Sequence, residues 1–305
     1  MNRLCGSGLQ AVASAAQAIK AGEGEVFIAG GVESMTRAPY AQLKSGEPWA
    51  RKTPEIADTT VGWRFVNPRL KKEWTISLGE TAEVVAERYQ IGRTEQDAFA
   101  VESQHRAERA VRNCVFSDEL VPVTLPDGKV FSQDEYPRAG VTLESVAQLK
   151  PAFKKDGTVT AASSSGINDG AAALLVMREG AKPLARIVTT AVAGVDPSCM
   201  GLGPIPATQK ALKRAGLKIE QIDLVELNEA FAAQAIACIR ELKLDPARVN
   251  IYGGAIAIGH PLGSTGARIL ATLVHALRRS GGRLGLATMC IGVGQGIAMI
   301  VERVD

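Results

Sequence analysis

The alternation of apolar and polar positions is most regular in the second half of the chain. Short apolar runs predict strands there, and apolar positions spaced three and four residues apart predict helices. The segments follow one another as ARIVTTAVAGV (185–195), PATQKALKRAG (206–216), IDLVEL (222–227), FAAQAIACIREL (231–242), VNIYGG (249–254), GARILATLVHALRRSGG (266–282) and LGLATMCIGVGQGIAMIVE (284–302). They predict the order βαβαβαββ with five strands, which is typical of a layered α/β domain.

The first half shows fewer regular elements. Residues 6–20 predict a buried helix, and the apolar run VFIAGG at 26–31 predicts a buried strand that glycines close. Residues 36–155 predict an excursion of loops and short elements with one clear helix at 94–112, where a T-x-x-D signal marks the start. DELVPVTL at 118–125 predicts a strand, and residues 157–177 predict a strand, a loop of small residues and a second strand.

A short internal repeat relates the two halves. GSGLQA at 6–11 leads into a helix, a glycine turn and VFIAGG, while GSTGAR at 263–268 leads into a helix, a glycine turn and LGLATMC. We therefore predict two similar halves, residues 1–184 and 185–305. The first half lacks counterparts of three strands and two crossover helices, a block of roughly 60–90 residues at the mean lengths of such elements.

Composition and charge exclude several classes of protein. The chain has 305 residues, of which 46% are hydrophobic and 22% charged, and its net charge is +3. This near balance predicts no nucleic-acid or membrane partner. The five cysteines form no CxxC pair, so we expect neither a disulfide framework nor a zinc site, and we expect a reducing cytoplasm.

Cys5 is the first candidate for chemistry. It lies in NRLCGSG at the start of a predicted helix, where free N–H groups and the helix dipole lower the pKa of a thiol and favour the thiolate. The residues alone leave a small buried cysteine equally open.

Three further residues are candidates for chemistry, and for each of them a purely structural role stays open. His260, in a loop of small residues, is a candidate base or oxyanion donor, or else a packing residue. Cys290 in TMCIGVGQG has small neighbours that leave room for a ligand. Asn228 in ELNEAF is a candidate helix cap.

Together the four residues predict acyl transfer coupled to making or breaking a carbon–carbon bond. One thiol holds the acyl group. A second group removes a proton from the α-carbon of the other thioester, and fixed N–H donors stabilise the charge that develops on the thioester oxygens.

The motifs NRLCGSGLQA, VFIAGGVESM, SGINDGAAAL, MGLGPIPAT, ELNEAFAAQA, GGAIAIGHPLG and CIGVGQG resemble those of thiolases, the acetyl-CoA acyltransferases. DTTVGWRFVNP and TMCIGVGQGIAMI resemble the 3-oxoadipyl-CoA (β-ketoadipyl-CoA) branch. The resemblance covers the whole chain. It implies the thiolase fold, two βαβαβαββ halves in an αβαβα layering, here with the first half incomplete.

The resemblance also implies a role for each matching residue. Cys5 is the acylated nucleophile, which His260 activates while contributing to an oxyanion hole. Cys290 is the acid and base at the α-carbon, and Asn228 holds a water that donates to the oxyanion. The N–H groups of Cys5 and Gly292 form a second hole. The positions that match the CoA site are Arg138, Ser145, Phe153, Ser165, Met200 and Phe231.

Coenzyme A and acyl-CoA are thus implied as substrates, with no cofactor and no metal. A homodimer or homotetramer is expected for the family. Three departures stand out: VNIYGG replaces a VNPNGG-like turn, AASSSG replaces an AGNASG-like stretch, and Cys5 lies almost at the start. Because the family carries three strands before the nucleophile, assembly of this chain is in doubt.

Two alternatives to an active thiolase stay open. One is an inactive, truncated thiolase-like fragment. The other is a β-ketoacyl synthase, which Cys290 disfavours because those enzymes lack a second catalytic thiol. For a dicarboxylic acyl chain, Arg64 and Arg69 are candidate partners of the far carboxylate, with exposed surface charges as the alternative.

Overall fold

The structure is a computed structural model that describes residues 1–178 and 182–304. The helices in this part of the chain are α1 (Ser7–Ala21), α2 (Leu78–Tyr89), α3 (Arg93–Arg112), α4 (Leu143–Ala147), α5 (Pro204–Ala215), α6 (Ala232–Glu241), α7 (Ala255–Ile258) and α8 (Leu262–Ser280). The strands are β1 (Val26–Glu33), β2 (Tyr40–Gln42), β3 (Ile56–Asp58), β4 (Val123–Thr124), β5 (Val130–Phe131), β6 (Gly170–Met177), β7 (Ala185–Gly194), β8 (Leu224–Leu227), β9 (Leu284–Ile291) and β10 (Gln295–Arg303).

Helices α1 and α8 lie side by side between two sheets. Leu9 and Val12 of α1 share one buried core with Leu273 of α8 and Met289 of β9, and each is at most 1% exposed. The two helices approach closely at Gly8, where an added Cβ would lie 2.7 Å from the backbone nitrogen of Ala267. These are the two helices of the internal repeat. Helix α1 is followed by β1 of one sheet, and α8 is followed by β9 of the other.

One of the two sheets pairs β1 with β6. The strands are antiparallel, with Val26 opposite Met177 and Glu33 opposite Gly170. Their inner face packs on α1 and α8. Apolar side chains on the other face, among them Ile28 and Leu175, are exposed, so the described residues leave that face uncovered.

The second sheet has the order β7-β10-β9-β8. Only the β8–β9 pair is parallel, and it places the end of β8 beside Thr288 of β9. Helices α5 and α6 cover the face turned away from α8, with Ala207 and Cys238 fully buried there. The described part of the chain therefore forms four layers, sheet, helices, sheet and helices; the αβαβα layering has one helical layer more.

Several predictions of local structure are wrong. Residues 118–125 contain only the two-residue strand β4, and VNIYGG contributes a single bridge between Val249 and Val225 because Asn250 turns to a positive φ of 48°. The second sheet therefore has four strands rather than five. In residues 157–177 the first predicted strand reduces to a bridge between Thr160 and Pro151.

The excursion is also more helical than predicted. Helix α2 begins at a capping box in which the Ser77 hydroxyl accepts from the backbone of Glu80 and the Glu80 carboxylate accepts from the backbone of Ser77. Helix α3 begins at Arg93 with Gly92 as its cap, so Thr94 is not the cap, and the Asp97 carboxylate pairs with Arg93 at 2.7 Å. No helix in the described residues is both long and apolar enough to cross a membrane.

Candidate active site

Cys5 lies immediately before Gly6, the residue that caps α1. Its side chain is buried, and Leu4 before it has a φ of 48°, a left-handed conformation that bulky residues rarely adopt. Burial raises the pKa of the Cys5 thiol to about 11, although the backbone N–H groups of Gly292 and of Cys5 itself lower it. The expected low pKa is therefore wrong: the helix start does not outweigh desolvation, and the resting group is a neutral thiol.

Gly292 reaches Cys5 from the turn between β9 and β10. Ile291 and Gln295 form the last pair of the ladder, so three residues turn the chain. Val293 and Gly294 both have positive φ, 63° and 79°. The turn directs the N–H of Gly292 to the sulfur of Cys5, as the resemblance implies.

Cys290 is the last residue but one of β9 and lies close enough to Cys5 for the two thiols to interact electrostatically. It is 2% exposed and packs in a small apolar cluster with Met200 and Phe231. Burial, with the charges of Cys5 and Cys238 adding to it, raises the pKa of Cys290 well above its usual value. The structure thus brings two buried thiols together at the carboxyl end of β9.

His260 reaches the site from the loop between α7 and α8. Gly259 before it has a φ of 101°, which favours glycine. The ring Nδ1 lies 2.7 Å from Thr265 Oγ1, and Nε2 lies 3.4 Å from Asn228 Nδ2. Burial lowers the pKa of His260 to about 3, and the positive charge of Arg268 adds to this shift. The imidazole is therefore neutral at pH 7.

Asn228 follows β8, and its backbone N–H donates to Thr288 O at 3.0 Å. The cap of α6 is Phe231, so Asn228 is not a helix cap. Its Oδ1 is buried and has no hydrogen-bond partner among the described residues. Such an oxygen beside a neutral histidine is suited to hold a water or a donor group of a substrate.

The match to known proteins covers both halves of the chain. The family model of the thiolase N-terminal domain matches residues 1–180, and that of the thiolase C-terminal domain matches residues 181–303. The chain belongs to the thiolase family. The family and the α/β thiolase fold are thus as the motifs predicted, and the β-ketoacyl synthase alternative is not favoured.

Individual thiolases agree with this assignment. The β-ketoadipyl-CoA thiolase of Acinetobacter baylyi is 53% identical, and the alignment spans 100% of this chain and 79% of the relative. The 3-oxoadipyl-CoA/3-oxo-5,6-dehydrosuberyl-CoA thiolase of Escherichia coli K12 is 52% identical with the same coverage. The crystal structure of human mitochondrial 3-ketoacyl-CoA thiolase in complex with CoA superposes with a TM-score of 0.93 at 43% identity, covering 100% of this chain and 77% of that one.

Two of the residues predicted to line the CoA site of this thiolase pack with Cys290, and two more contact that group. Met200 and Phe231 share the apolar cluster of Cys290. The Phe153 ring meets the Phe231 ring edge to face at 5.9 Å, and Ser165 donates its backbone N–H to Ala230 O at 3.0 Å.

The remaining predicted contacts serve other interactions in the structure. The Arg138 guanidinium lies over the Tyr136 ring, 5.9 Å from its centroid. The Ser145 hydroxyl donates to Thr142 O and closes the capping box of α4. Their contact with CoA stays a prediction.

The two arginines proposed for a dicarboxylic substrate are both exposed. Arg64 Nη1 donates to the Gly62 carbonyl at 2.9 Å. Their role in substrate recognition stays a prediction as well.

Sequence reasoning missed a buried carboxylate behind Asn228. Glu229 is 1% exposed and accepts hydrogen bonds from Ser103 Oγ at 2.7 Å, Asn250 Nδ2 at 2.8 Å and the backbone N–H of Ile256 at 3.2 Å. Burial raises the pKa of Glu229, although the hydrogen bonds from these three donors lower it. The network joins the Asn228 loop to α7, which leads to His260. A charged residue in an otherwise apolar strand-to-helix loop was the available signal.

Proposed function

We propose that the chain is an acyltransferase that catalyses thiolysis of a 3-oxoacyl-CoA by coenzyme A, and the reverse Claisen condensation, through an acyl thioester on Cys5. The meeting of two buried thiols, Cys5 and Cys290, at the Gly292 turn is the observation that supports this most. Neither a single nucleophile nor a binding site alone requires a second buried thiol.

Thiolysis begins when His260 takes the proton of Cys5 and the thiolate attacks the 3-oxo carbon. The N–H groups of Cys5 and Gly292 would stabilise the oxyanion that forms. The bond between C2 and C3 then breaks, its electron pair stays on C2, and Cys290 supplies the proton that releases acetyl-CoA. The Cys290 thiolate then takes the proton of the coenzyme A thiol, and the coenzyme A sulfur attacks the acyl-Cys5 carbonyl. The bond between that carbonyl and Cys5 breaks, the shortened acyl-CoA leaves, and the proton on His260 returns to the Cys5 sulfur.

The raised pKa of Cys290 suits this task. A carbanion next to a thioester is a strong base, and its protonation needs a neutral acid close by. In condensation Cys290 first gives its proton to the coenzyme A that leaves as Cys5 is acylated, and the resulting thiolate then removes the α-proton. Burial keeps Cys290 protonated until the carbanion develops, so the two thiols divide the work between nucleophile and acid–base catalyst.

The substrate we favour is 3-oxoadipyl-CoA. Relatives named for this substrate or for β-ketoadipyl-CoA match this chain at 52–53% identity, although an acetyl-CoA acetyltransferase of Shinella zoogloeoides matches at 50%. Coenzyme A and acyl-CoA would lie along Met200, Phe153 and Phe231, and the chemistry needs no metal or further cofactor. A homodimer or homotetramer stays a prediction.

Mass spectrometry of the trapped intermediate tests the proposal. After incubation with 3-oxoadipyl-CoA, we expect an added acyl group on the peptide that contains Cys5. Cys290→Ala should still accept an acetyl group on Cys5 from acetyl-CoA, a transfer that breaks no carbon–carbon bond, but lose condensation and α-proton exchange by about 10²–10⁴-fold.

Cys114→Ala is the matched control, since Cys114 is an exposed thiol. Label only on other cysteines, or none, would refute the acyl-Cys5 intermediate. Equal turnover of acetoacetyl-CoA and 3-oxoadipyl-CoA would refute the substrate preference.

A further inference from the structure

The hydroxyl of Thr265 touches the catalytic histidine but has no part in the steps above. Thr265 lies in the first turn of α8 and is fully buried. Its Oγ1 is 2.7 Å from His260 Nδ1 and 2.8 Å from Pro261 O. Both distances require a hydrogen between the two heavy atoms, yet the hydroxyl carries only one.

Only one arrangement of protons satisfies both contacts. If the hydroxyl donated to Nδ1, its oxygen and Pro261 O would face each other at 2.8 Å with no hydrogen between them and would repel. If the hydroxyl donates to Pro261 O instead, its oxygen accepts the proton of Nδ1, and both contacts are hydrogen bonds. The carbonyl of Pro261 is thus the fixed acceptor that orders the pair.

Building on the proposed function, we infer that Thr265 is a positioning residue that fixes the proton of resting His260 on Nδ1 and leaves Nε2 unprotonated. The S–H bond of Cys5 then breaks as an N–H bond forms at Nε2, and the sulfur keeps the electron pair. The new N–H at Nε2 is placed to donate to a substrate oxygen. One nitrogen thus serves first as base and then as oxyanion donor.

The amide of Asn228 agrees with this arrangement. Its Nδ2 lies 3.4 Å from Nε2 of His260, a long contact in which the amide donates to an unprotonated nitrogen. The opposite tautomer would set two donors against each other here. With Nδ2 engaged, Oδ1 faces away from the ring, which agrees with its lack of a partner among the described residues.

Nitrogen-15 NMR of the resting chain, labelled at histidine, tests the tautomer directly. Two-bond nitrogen–proton couplings separate the two neutral forms, and His105→Gln and His275→Gln identify the other two rings. At pH 7 we expect His260 to carry its proton on Nδ1, and Thr265→Val, which keeps the shape but loses the hydroxyl, to shift the population towards Nε2. A proton on Nε2 in the unmodified chain overturns the inference.

Rates of Cys5 acylation test the consequence. Thr265→Val should acylate about 10- to 100-fold more slowly, the usual cost of removing the partner that orients a histidine ring, whereas Thr265→Ser should retain most of the rate. Thr272→Val is the control. It also removes a buried hydroxyl from α8, but that hydroxyl donates to Glu119 and not to His260.

Unchanged acylation by Thr265→Val also overturns the inference. The NMR experiment needs no turnover, so an inactive chain with its proton on Nδ1 would refute the proposed function alone.

Discussion

Replacing Glu229 by glutamine tests whether the buried carboxylate supports both the fold and the site. The carboxylate has only acceptors, and all three of its partners are donors: Ser103 and Ile256 bond Oε2, and Asn250 bonds Oε1. A glutamine amide has one oxygen and one NH₂ group, so either orientation sets NH₂ against a donor.

The partners cannot adapt without losing bonds of their own. Asn250 is held in its orientation because its Oδ1 accepts from the backbone N–H of Leu227 and its Nδ2 also donates to Leu227 O, each at 2.8 Å. The Ser103 hydroxyl accepts from the backbone N–H of Gly254 at 3.0 Å. The better amide orientation therefore gives up the Asn250 bond and leaves two facing donors.

A lost hydrogen bond to a charged group costs about 1.5–3 kcal/mol, and a buried donor without a partner costs about 1–3 kcal/mol more. Removing a carboxylate whose burial is unfavourable offsets part of this. We expect Glu229→Gln to lower the free energy of unfolding by about 1–3 kcal/mol. Since α7 leads from this network to His260, acylation of Cys5 should slow by about 10- to 100-fold.

Urea unfolding followed by far-UV circular dichroism measures the first effect, and single-turnover acylation the second. Glu102→Gln is the matched control, because Glu102 is half exposed and pairs with Arg106 and Arg109, so it should cost less than about 1 kcal/mol. A Glu229→Gln protein that matches Glu102→Gln in both measurements would show that the network is neither stabilising nor linked to the site.

Two further predictions follow from the buried titratable groups. Because the pKa of Cys5 is about 11, its alkylation by iodoacetamide should quicken about tenfold per pH unit between pH 6 and 9; a plateau near pH 7 would show that the resting group is a thiolate. Burial raises the pKa of Glu226 from 4.5 to about 8, although Arg268 lies 3.7 Å away. The stability that protonated Glu226 contributes is therefore fully present below pH 4.5 and is lost as the pH rises through 8. In the unmodified chain the free energy of unfolding should fall by on the order of a few kcal/mol between pH 5 and 8.5 from this group, and Glu226→Gln should remove that fall. A pH dependence that Glu226→Gln leaves unchanged would contradict this.

The sequence indicated those parts of the site that depend on local pattern. Cys5, His260 and Cys290 each stand among small residues next to a regular element, and the structure places each at the end of a helix or strand. Gly216 is the last residue of the predicted helical segment PATQKALKRAG, and it takes the left-handed conformation after α5 with a φ of 65°. Such features need only nearby residues to be recognised.

What the sequence could not indicate depends on contacts between distant segments. The pKa of Cys5 was mispredicted because a helix start is visible locally, whereas burial under the Gly292 turn is not. The bonds of Glu229 join residues 103, 250 and 256, which no single window of sequence contains. Helix α2 is different, because the S-x-x-E spacing of Ser77 and Glu80 is a local signal that predicts its capping box, and the sequence analysis did not use it.

The opposite shifts of Cys5 and His260 have a common consequence for catalysis. A buried thiolate–imidazolium pair would have to be stabilised before any substrate arrives, at a large desolvation cost. Two neutral groups avoid that cost. The N–H groups of Gly292 and Cys5 then donate only to a neutral thiol sulfur, which is a weak hydrogen-bond acceptor. In the proposed mechanism the same donors are available for the oxyanion when an acyl carbonyl enters, so charge would develop in the site only together with the groups that stabilise it.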